Sequence, residues 1–296
     1  MKIALIGANS YIARNLISIW KKNMPECEIF LYDITEYHVD GLGNYTQINV
    51  LDRESVANID MKCDIIYMFS GKTGSAAGFV QPELFVQINE IALLNILNEY
   101  RVQQSEAKLV FPSTRLVYKG EEKPLKEDDP KEFKTIYAIN KYACEQYLEM
   151  YHRTFGVKYL ILRICIPYGT LIPNASSYGT LEFMLGKATK GEAITLYGEG
   201  AQRRTFTYMG DLCDILMQAG ISLECCNDVY NIGGEDYSLN EVATIIAQKY
   251  DVTVKYVEWP EVDLSIESGS TVFDSTKLDT LLNCTYHMQV KEWIKS

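Results

Sequence analysis

A chain of 296 residues with a formal net charge of −11 and a pI near 4.9 can bury a sizeable core, as one large α/β domain or a domain with a smaller lobe. The charge sets nucleic acid and anionic membrane aside as expected partners, so a bound phosphate must meet local Lys, Arg or a helix N-terminus. The apolar run Ile3 to Ile6 is too short for a signal-peptide core or a membrane span, and cytoplasmic residence is expected. The eight Cys form no Cys-x-x-Cys and are expected to be free thiols, while His38, His152 and His287 share no metal-ligand spacing, so no metal site is expected.

Lys2-Ile3-Ala4-Leu5-Ile6-Gly7 reads as a buried parallel strand running into a helix over Ile12 to Trp20. The intervening turn, Gly7-Ala8-Asn9-Ser10-Tyr11-Ile12-Ala13, stands where a glycine-rich loop would bring backbone close to a pyrophosphate and aim a helix N-terminus at it. Only the first Gly is kept; Ser10 and Ala13 occupy the other two places, and an ordinary strand-to-helix turn stays open. The next strand, Glu28 to Asp33, ends in an acid 26 residues after Gly7, where such folds place a carboxylate on the adenosine ribose. No Arg or Lys follows Asp33 before Arg53, which favours NAD over NADP; a strand-end cap is the other reading of Asp33.

Further strands are expected at Gln47 to Val50, Asp64 to Phe69, Lys108 to Phe111 and Lys158 to Ile164, with helices between, notably Glu83 to Val102. This alternation predicts a Rossmann-type, doubly wound parallel sheet of the α/β class. Ligands then sit beyond the carboxyl ends of the strands, the edge occupied by Asp52, by Ser70-Gly71-Lys72 and by Pro112-Ser113-Thr114. Thr135-Ile136-Tyr137-Ala138-Ile139-Asn140-Lys141 contains the only Tyr-x-x-x-Lys of the chain. On a helix it puts a phenol and an ammonium one turn apart, and the cation favours the phenolate that general-base chemistry on an alcohol needs. Such a spacing arises about once by chance in a chain this rich in Tyr and Lys. An amphipathic helix carrying Tyr142, Tyr147 and Tyr151 with a surface Lys is therefore the bland alternative.

After Ile164 come Pro167-Tyr168-Gly169, a polar loop over Asn174 to Gly179 and a helix near Leu181 to Lys190. Tyr208-Met209-Gly210-Asp211 and Tyr230-Asn231-Ile232-Gly233-Gly234 read as returns to the sheet, followed by a helix from Leu239 to Tyr250. A cofactor-binding domain over residues 1–169, with 201–235 returning to it, is expected beside a smaller substrate lobe over 170–200 and 236–296.

In this order the motifs resemble those of the extended short-chain dehydrogenase/reductases, in the NAD-dependent nucleotide-sugar epimerase and dehydratase branch, and above all its UDP-glucose 4-epimerase-like members. Gly7-x-x-Ser10-x-x-Ala13 resembles the family turn, and Asp33 and Asp52 its ribose and adenine contacts. Asn89 is similar to its helix Asn, Ser113-Thr114-Arg115-Leu116-Val117-Tyr118 to its Ser/Thr strand end, and Arg163 to Gly169 to its Arg-x-x-x-x-Tyr-Gly. Gly198-Glu199-Gly200-Ala201-Gln202-Arg203-Arg204 with Asp211 resembles its Gly-x-Gly-x-Gln-x-Arg…Asp block, and Asn231-Ile232-Gly233 completes the series.

The resemblance implies Tyr137, Lys141 and Thr114 as catalytic residues and NAD as cofactor. It implies cofactor contacts from Gly7, Asn9, Ser10, Tyr11, Ile12, Asp33, Asp52, Ser70, Gly71, Lys72 and Asn89, together with Tyr137 and Lys141. Substrate contacts are expected from Ser113, Thr114, Arg203 and Arg204, the two Arg holding a phosphate, and the family precedent is a homodimer. Arg115 and Leu116 stand where family dehydratases carry an Asp-Glu pair, and Leu116 where the epimerase-reductases carry a Cys, so neither chemistry is expected. The implied reaction is 4-epimerisation of a nucleoside-diphosphate sugar; a 4-keto-sugar reductase and a non-catalytic NAD-binding module are the alternatives. One departure is the absence of any Arg after Arg204, although Asp274-Ser275-Thr276-Lys277 is present. It leaves the expected diphosphate clamp to Lys255 or another cation, or to a different kind of substrate.

Overall fold

A computed structural model of the chain describes residues 1–175 and 179–296; residues 176–178 of the expected polar loop lie outside it. Seven strands form one sheet, β1 (Lys2–Ile6), β2 (Glu28–Asp33), β3 (Tyr45–Gln47), β4 (Ile65–Met68), β5 (Lys108–Thr114), β6 (Lys158–Ile164) and, after three strands outside it, β10 (Asp228–Asn231). Every pairing is parallel, in the order β3-β2-β1-β4-β5-β6-β10. The order reverses at β1, between β2 and β4, and such a switch point opens a crevice at the carboxyl ends of the strands. Strand side chains alternate between faces. Ile3 and Leu5 of β1 therefore join a core with Leu16, Trp20, Leu212 and Leu216 of the helices Tyr11–Asn23 and Met209–Ile221. Ala4 and Ile6 join the opposite core with Leu93, Ile96, Cys144 and Leu148.

β5 runs three residues beyond the expected strand. Pro112, Ser113 and Thr114 pair with Leu162, Arg163 and Ile164 of β6, whereas pairing with β4 stops at Val110. Pro112 is tolerated because one flank of the strand is open there, so no ladder donor is missed. The strand expected at Gln47 to Val50 is earlier and shorter, because the chain turns after Gln47, Asp52 N donating to the Asn49 carbonyl, and Asp52 caps the next helix. Tyr208-Met209-Gly210-Asp211 is the start of the helix Met209–Ile221, not a strand of the main sheet.

The smaller lobe contains a three-stranded sheet of β7 (Ile166–Tyr168), β9 (Arg203–Tyr208) and β11 (Glu235–Ser238), and a two-stranded one of β8 (Ile194–Tyr197) and β12 (Val254–Val257). The helices Thr180–Ala188, Leu239–Tyr250 and Val290–Lys295 cover them with Leu181, Met184, Val242, Ile246, Val290 and Ile294. β7, β9 and β11 join segments from both sides of the expected lobe boundaries, so the two lobes share a sheet and not merely a linker. All eight cysteines are free thiols, and no helix among the described residues is long and apolar enough to cross a membrane.

Candidate active site

The crevice at the switch point has a volume of about 340 Å³ and is lined by Gly7, Asn9 and Ser10 after β1, Asp33 at the end of β2, Asn49, Val50 and Leu51 after β3, and Ser70, Gly71 and Lys72 after β4. Gly7 has φ +85°, and a Cβ there would lie 2.4 Å from the Ser70 nitrogen, so only glycine lets the two strand ends approach. The Asp33 carboxylate accepts from Asn9 N (2.8 Å) and Ile34 N (2.7 Å). Those bonds fix its position and leave lone pairs for hydroxyl donors such as a ribose diol. The Asn9 side chain in turn holds the loop after β2, its Oδ1 accepting from Val39 N at 3.0 Å.

Ser10 begins the 13-residue helix Tyr11–Asn23 without capping it, and its buried Oγ has no hydrogen-bond partner among the described residues. The amides of Tyr11, Ile12 and Ala13 are the unpaired donors of a first helical turn. A buried donor at a helix N-terminus fits an anionic group such as a dinucleotide diphosphate. The side chains of Tyr11 and Ile12 are engaged elsewhere: the Tyr11 hydroxyl donates to the Gly169 carbonyl, and Ile12 packs on the helix core. What the two residues offer the crevice is their backbone.

Asn89 reaches the same edge from a π-helical segment, Gln87–Ile91, set between the helices Pro82–Val86 and Ala92–Val102. Its Oδ1 accepts from Lys72 N (2.8 Å) and its Nδ2 donates to Lys72 O (3.2 Å), which clamps the backbone after β4. The Asn89 carbonyl, displaced from the ordinary helical ladder, accepts the Cys144 thiol at 3.2 Å.

Of the residues expected to react, Thr114 stands at the end of β5, and Tyr137 and Lys141 stand on the helix Ile136–Phe155. Thr135 caps the helix Ile136–Phe155, accepting from Ala138 N, and Gly156 ends it with φ +73°. Tyr137 and Lys141 lie four residues apart on the same face, the spacing that stacks side chains along a helix. Burial pushes the Tyr137 phenol up to about 12, while a hydrogen bond with Thr114 and the charge of Arg115 pull it back down. Lys141 is held down to about 8 by burial. Its Nζ donates to the Pro112 carbonyl at 2.8 Å and lies 4.4 Å above the Phe111 ring. The charge of Arg115 thus also favours the phenolate, beside the role expected of Lys141.

Ser113 points the other way, as alternation along a strand requires. Its Oγ donates to Glu145 Oε1 at 2.5 Å. Glu145 is gripped by Arg163 through two bonds (Nε to Oε1 3.0 Å, Nη2 to Oε2 2.6 Å), with both side chains almost wholly buried. Arg163 also donates to the Tyr118 hydroxyl, which donates to Asn231 Oδ1. This network locks β5, β6, β10 and the catalytic helix together. Ser113, expected to contact substrate, has its Oγ engaged within this network.

Three other residues with expected contacts are engaged within the chain as well. Asp52 caps the short helix Arg53–Val56 by accepting from Glu54 N at 3.1 Å, and the crevice is lined instead by its neighbours Asn49, Val50 and Leu51. Arg203 is paired with Asp236 (2.8 Å) and Glu241 (3.1 Å). Arg204 is buried, pairs with Glu267 at 2.6 Å and donates to the carbonyls of Arg203 and Gly269. Both Arg are paired with carboxylates of the chain's C-terminal part, the half-exposed Arg203 with Asp236 and Glu241 and the buried Arg204 with Glu267. Asp211 is likewise buried, accepting from His287 N and Nδ1.

Residues 3–233 match the model of the NAD dependent epimerase/dehydratase family. The chain belongs to that family. A provisionally named UDP-glucose 4-epimerase of Methanocaldococcus jannaschii is 28% identical over 239 residues, which span 79% of this chain and 72% of that one. A UDP-N-acetyl-alpha-D-glucosaminuronate decarboxylase of Bacillus cytotoxicus is 26% identical over 262 residues, 85% of this chain and 79% of its own. The UDP-glucose 4-epimerase of Thermus thermophilus, solved with NAD, has the same fold, with a TM-score of 0.86 at 22% identity over 100% of this chain and 97% of that one.

The family is NAD-dependent, so this member is an enzyme of oxidoreductase-type chemistry with NAD as its cofactor. The crevice fits that assignment in its unpartnered Ser10 Oγ, the close approach at Gly7 and the Asp33 carboxylate. Ser10 was among the expected cofactor contacts, and a Ser at an N-cap position in a phosphate-binding turn is a donor awaiting an acceptor. Asn49, Val50 and Leu51 carried no comparable signal.

Proposed function

We propose that this family member is a 4-epimerase of nucleoside-diphosphate sugars, and the observation that carries the reading is the convergence of Tyr137, Thr114 and Lys141 beside the dinucleotide crevice. NAD, when bound, supplies a reversible hydride acceptor. Tyr137 removes the proton of the sugar 4-hydroxyl and later returns it, and Thr114 Oγ1 hydrogen-bonds the same oxygen. Lys141, fixed on the Pro112 carbonyl, keeps one positive charge at the cofactor side of the phenol. Arg115 and Leu116, which follow Thr114, supply no carboxylic acid to protonate a leaving hydroxyl, so elimination of water is not supported. Ser10 Oγ and the first-turn amides of Tyr11 and Ile12 hold the cofactor diphosphate, Asp33 its ribose, and Asn89 orders the Ser70-Gly71-Lys72 edge.

A cytoplasmic homodimer completes the reading. Val86, Ile91, Ile139 and Met150 are exposed on the packed helices between residues 82 and 155, and a second copy of the chain would cover them. Proton NMR of UDP-sugars incubated with the enzyme and NAD tests the reaction. Interconversion of C4 epimers without net NADH supports epimerisation. One-way reduction of a 4-keto sugar at the expense of NAD(P)H would assign the reductase instead, and NAD binding with no sugar chemistry would leave a binding module.

A further inference from the structure

Arg115 keeps hydrogen-bonding capacity that neither its protein contacts nor the proposed reaction uses. It follows Thr114 directly, in a one-turn 3-10 helix, Arg115–Val117. Only its Nη1 is engaged, by two neutral hydroxyls of the small lobe, Ser268 Oγ at 2.9 Å and Thr271 Oγ1 at 3.2 Å. Nε and Nη2 have no protein acceptor among the described residues, and no carboxylate forms an ion pair with this guanidinium. Its neighbour Arg204 takes the one acid at hand, Glu267. Two guanidiniums therefore share a single carboxylate, and a partly buried positive charge is left over where the lobes meet. Burial and the repulsion from Arg204 bring Arg115 down to about 10, against the opposing pull of Glu267 and Tyr137. The unused Nε and Nη2 are open to an acceptor from outside the chain.

We propose that Arg115 is the subsite for a carboxylate on the sugar carbon next to the reacting carbinol, and that the substrate is a nucleoside-diphosphate hexuronate. The proposal rests on the 4-epimerase reading above. Its geometry distinguishes the carboxylate from the diphosphate. With Thr114 and Tyr137 on the 4-oxygen, a cation one residue from Thr114 stands near a substituent of C3 or C5, and of these only C5 carries a carboxylate, in hexuronates. The diphosphate hangs from C1, across the ring. A planar guanidinium with two free edges suits a carboxylate, which it can grip through two parallel bonds.

The experiment measures Kd by calorimetry and kcat/KM for UDP-glucuronate and UDP-glucose with the NAD-loaded enzyme, in wild type, Arg115→Leu and Arg115→Lys. Wild type is expected to prefer the uronate at least ten-fold. Arg115→Leu should shift the uronate-to-glucose ratio of kcat/KM at least ten-fold toward glucose, and Arg115→Lys should restore part of it. The ratio cancels any general loss from altering a group near Tyr137, and the wild-type preference is informative even if Arg115→Leu does not fold. Turnover of UDP-glucose with no uronate preference, or an unchanged ratio in Arg115→Leu, overturns the carboxylate subsite while leaving the epimerase reading intact. Binding of neither sugar overturns both.

Discussion

The two halves of the site are held together in different ways. On the cofactor side the groups are backbone amides, a glycine at φ +85° and short side chains set by the turn that carries them, and one of them, Ser10 Oγ, is left without a partner among the described residues. On the substrate side long charged side chains from distant segments meet one another: Arg115 from the end of β5, Arg204 from β9, and Glu267, Ser268 and Thr271 from the chain that returns after β12. The first half is made by local sequence and is ready for a ligand common to many proteins. The second depends on tertiary assembly, and there a change at one segment, such as an acid at Glu267, alters what another, Arg204, is free to do.

The largest effect expected from separating the halves is at Tyr137. Tyr137→Phe removes the proton-transfer group and should lower turnover by about 10²–10⁴-fold, with NAD affinity measured by calorimetry almost unchanged. Full activity in that variant would remove the phenol from the mechanism. The frame common to both halves is the buried Arg163–Glu145 pair. Arg163→Met strands a buried carboxylate and should cost about 3–5 kcal/mol in urea unfolding followed by circular dichroism. A loss below about 1 kcal/mol would show that the network contributes little beyond packing.

A smaller effect belongs to Glu182, on the small-lobe helix Thr180–Ala188, whose carboxyl is pushed by burial from its ordinary 4.5 up to about 7 and whose Oε2 has no hydrogen-bond partner. The folded protein binds this proton more tightly than the unfolded chain. Its stabilising contribution is therefore complete below about pH 4.5, falls as pH rises and is gone above about pH 7. Glu182→Gln should match wild type near pH 4 and be more stable by about 2 kcal/mol at pH 8. Parallel melts at the two pH values check it, and equal stability at both would mean that the carboxyl is not desolvated. The smallest effect is at the cofactor edge. Asp33→Ala removes one hydrogen-bonded acid and should weaken NAD binding about ten-fold while narrowing the preference for NAD over NADP. Tighter NADP than NAD binding by wild type would detach Asp33 from the ribose.

What was legible in the sequence follows the same division. Apolar runs placed β1, β2, β4 and β6 within a residue or two, because strands buried on both faces are continuous in hydrophobicity. Asp33 stood out by its place after β2, and the Tyr137–Lys141 pair by its order among the other motifs, since its spacing alone is no better than chance. Ser113 turns to Glu145 because consecutive residues of a strand face opposite ways, and a motif written as Ser-Thr does not say which one meets the ligand. Asp52 was chosen for its charge, although the uncharged residues just before it line the crevice. The pairing of Arg203 and Arg204 with acids was not legible, because a cation in a motif looks the same whether an acid 63 residues later is poised to pair with it, as Glu267 is with Arg204, or a ligand is. The extension of β5 past Val110 was hidden by Pro112, a residue that usually argues against a strand interior.

The π-helical segment Gln87–Ile91 gives the chain an unusual sensitivity to length. A wide turn of this kind contains one residue more than the ordinary ladder accommodates, and here the surplus aims Asn89 at Lys72. Loss of a single residue between Gln87 and Ile91 would leave a regular helix, better bonded than before, and its packing against Cys144 and Leu148 could be kept. It would also turn Asn89 about 100° away from the strand end it clamps. Such a deletion would be a gain for the helix and a loss for the enzyme, so the spacing from Pro82 to Val102 is fixed by the ligand edge it serves more than by the core it covers.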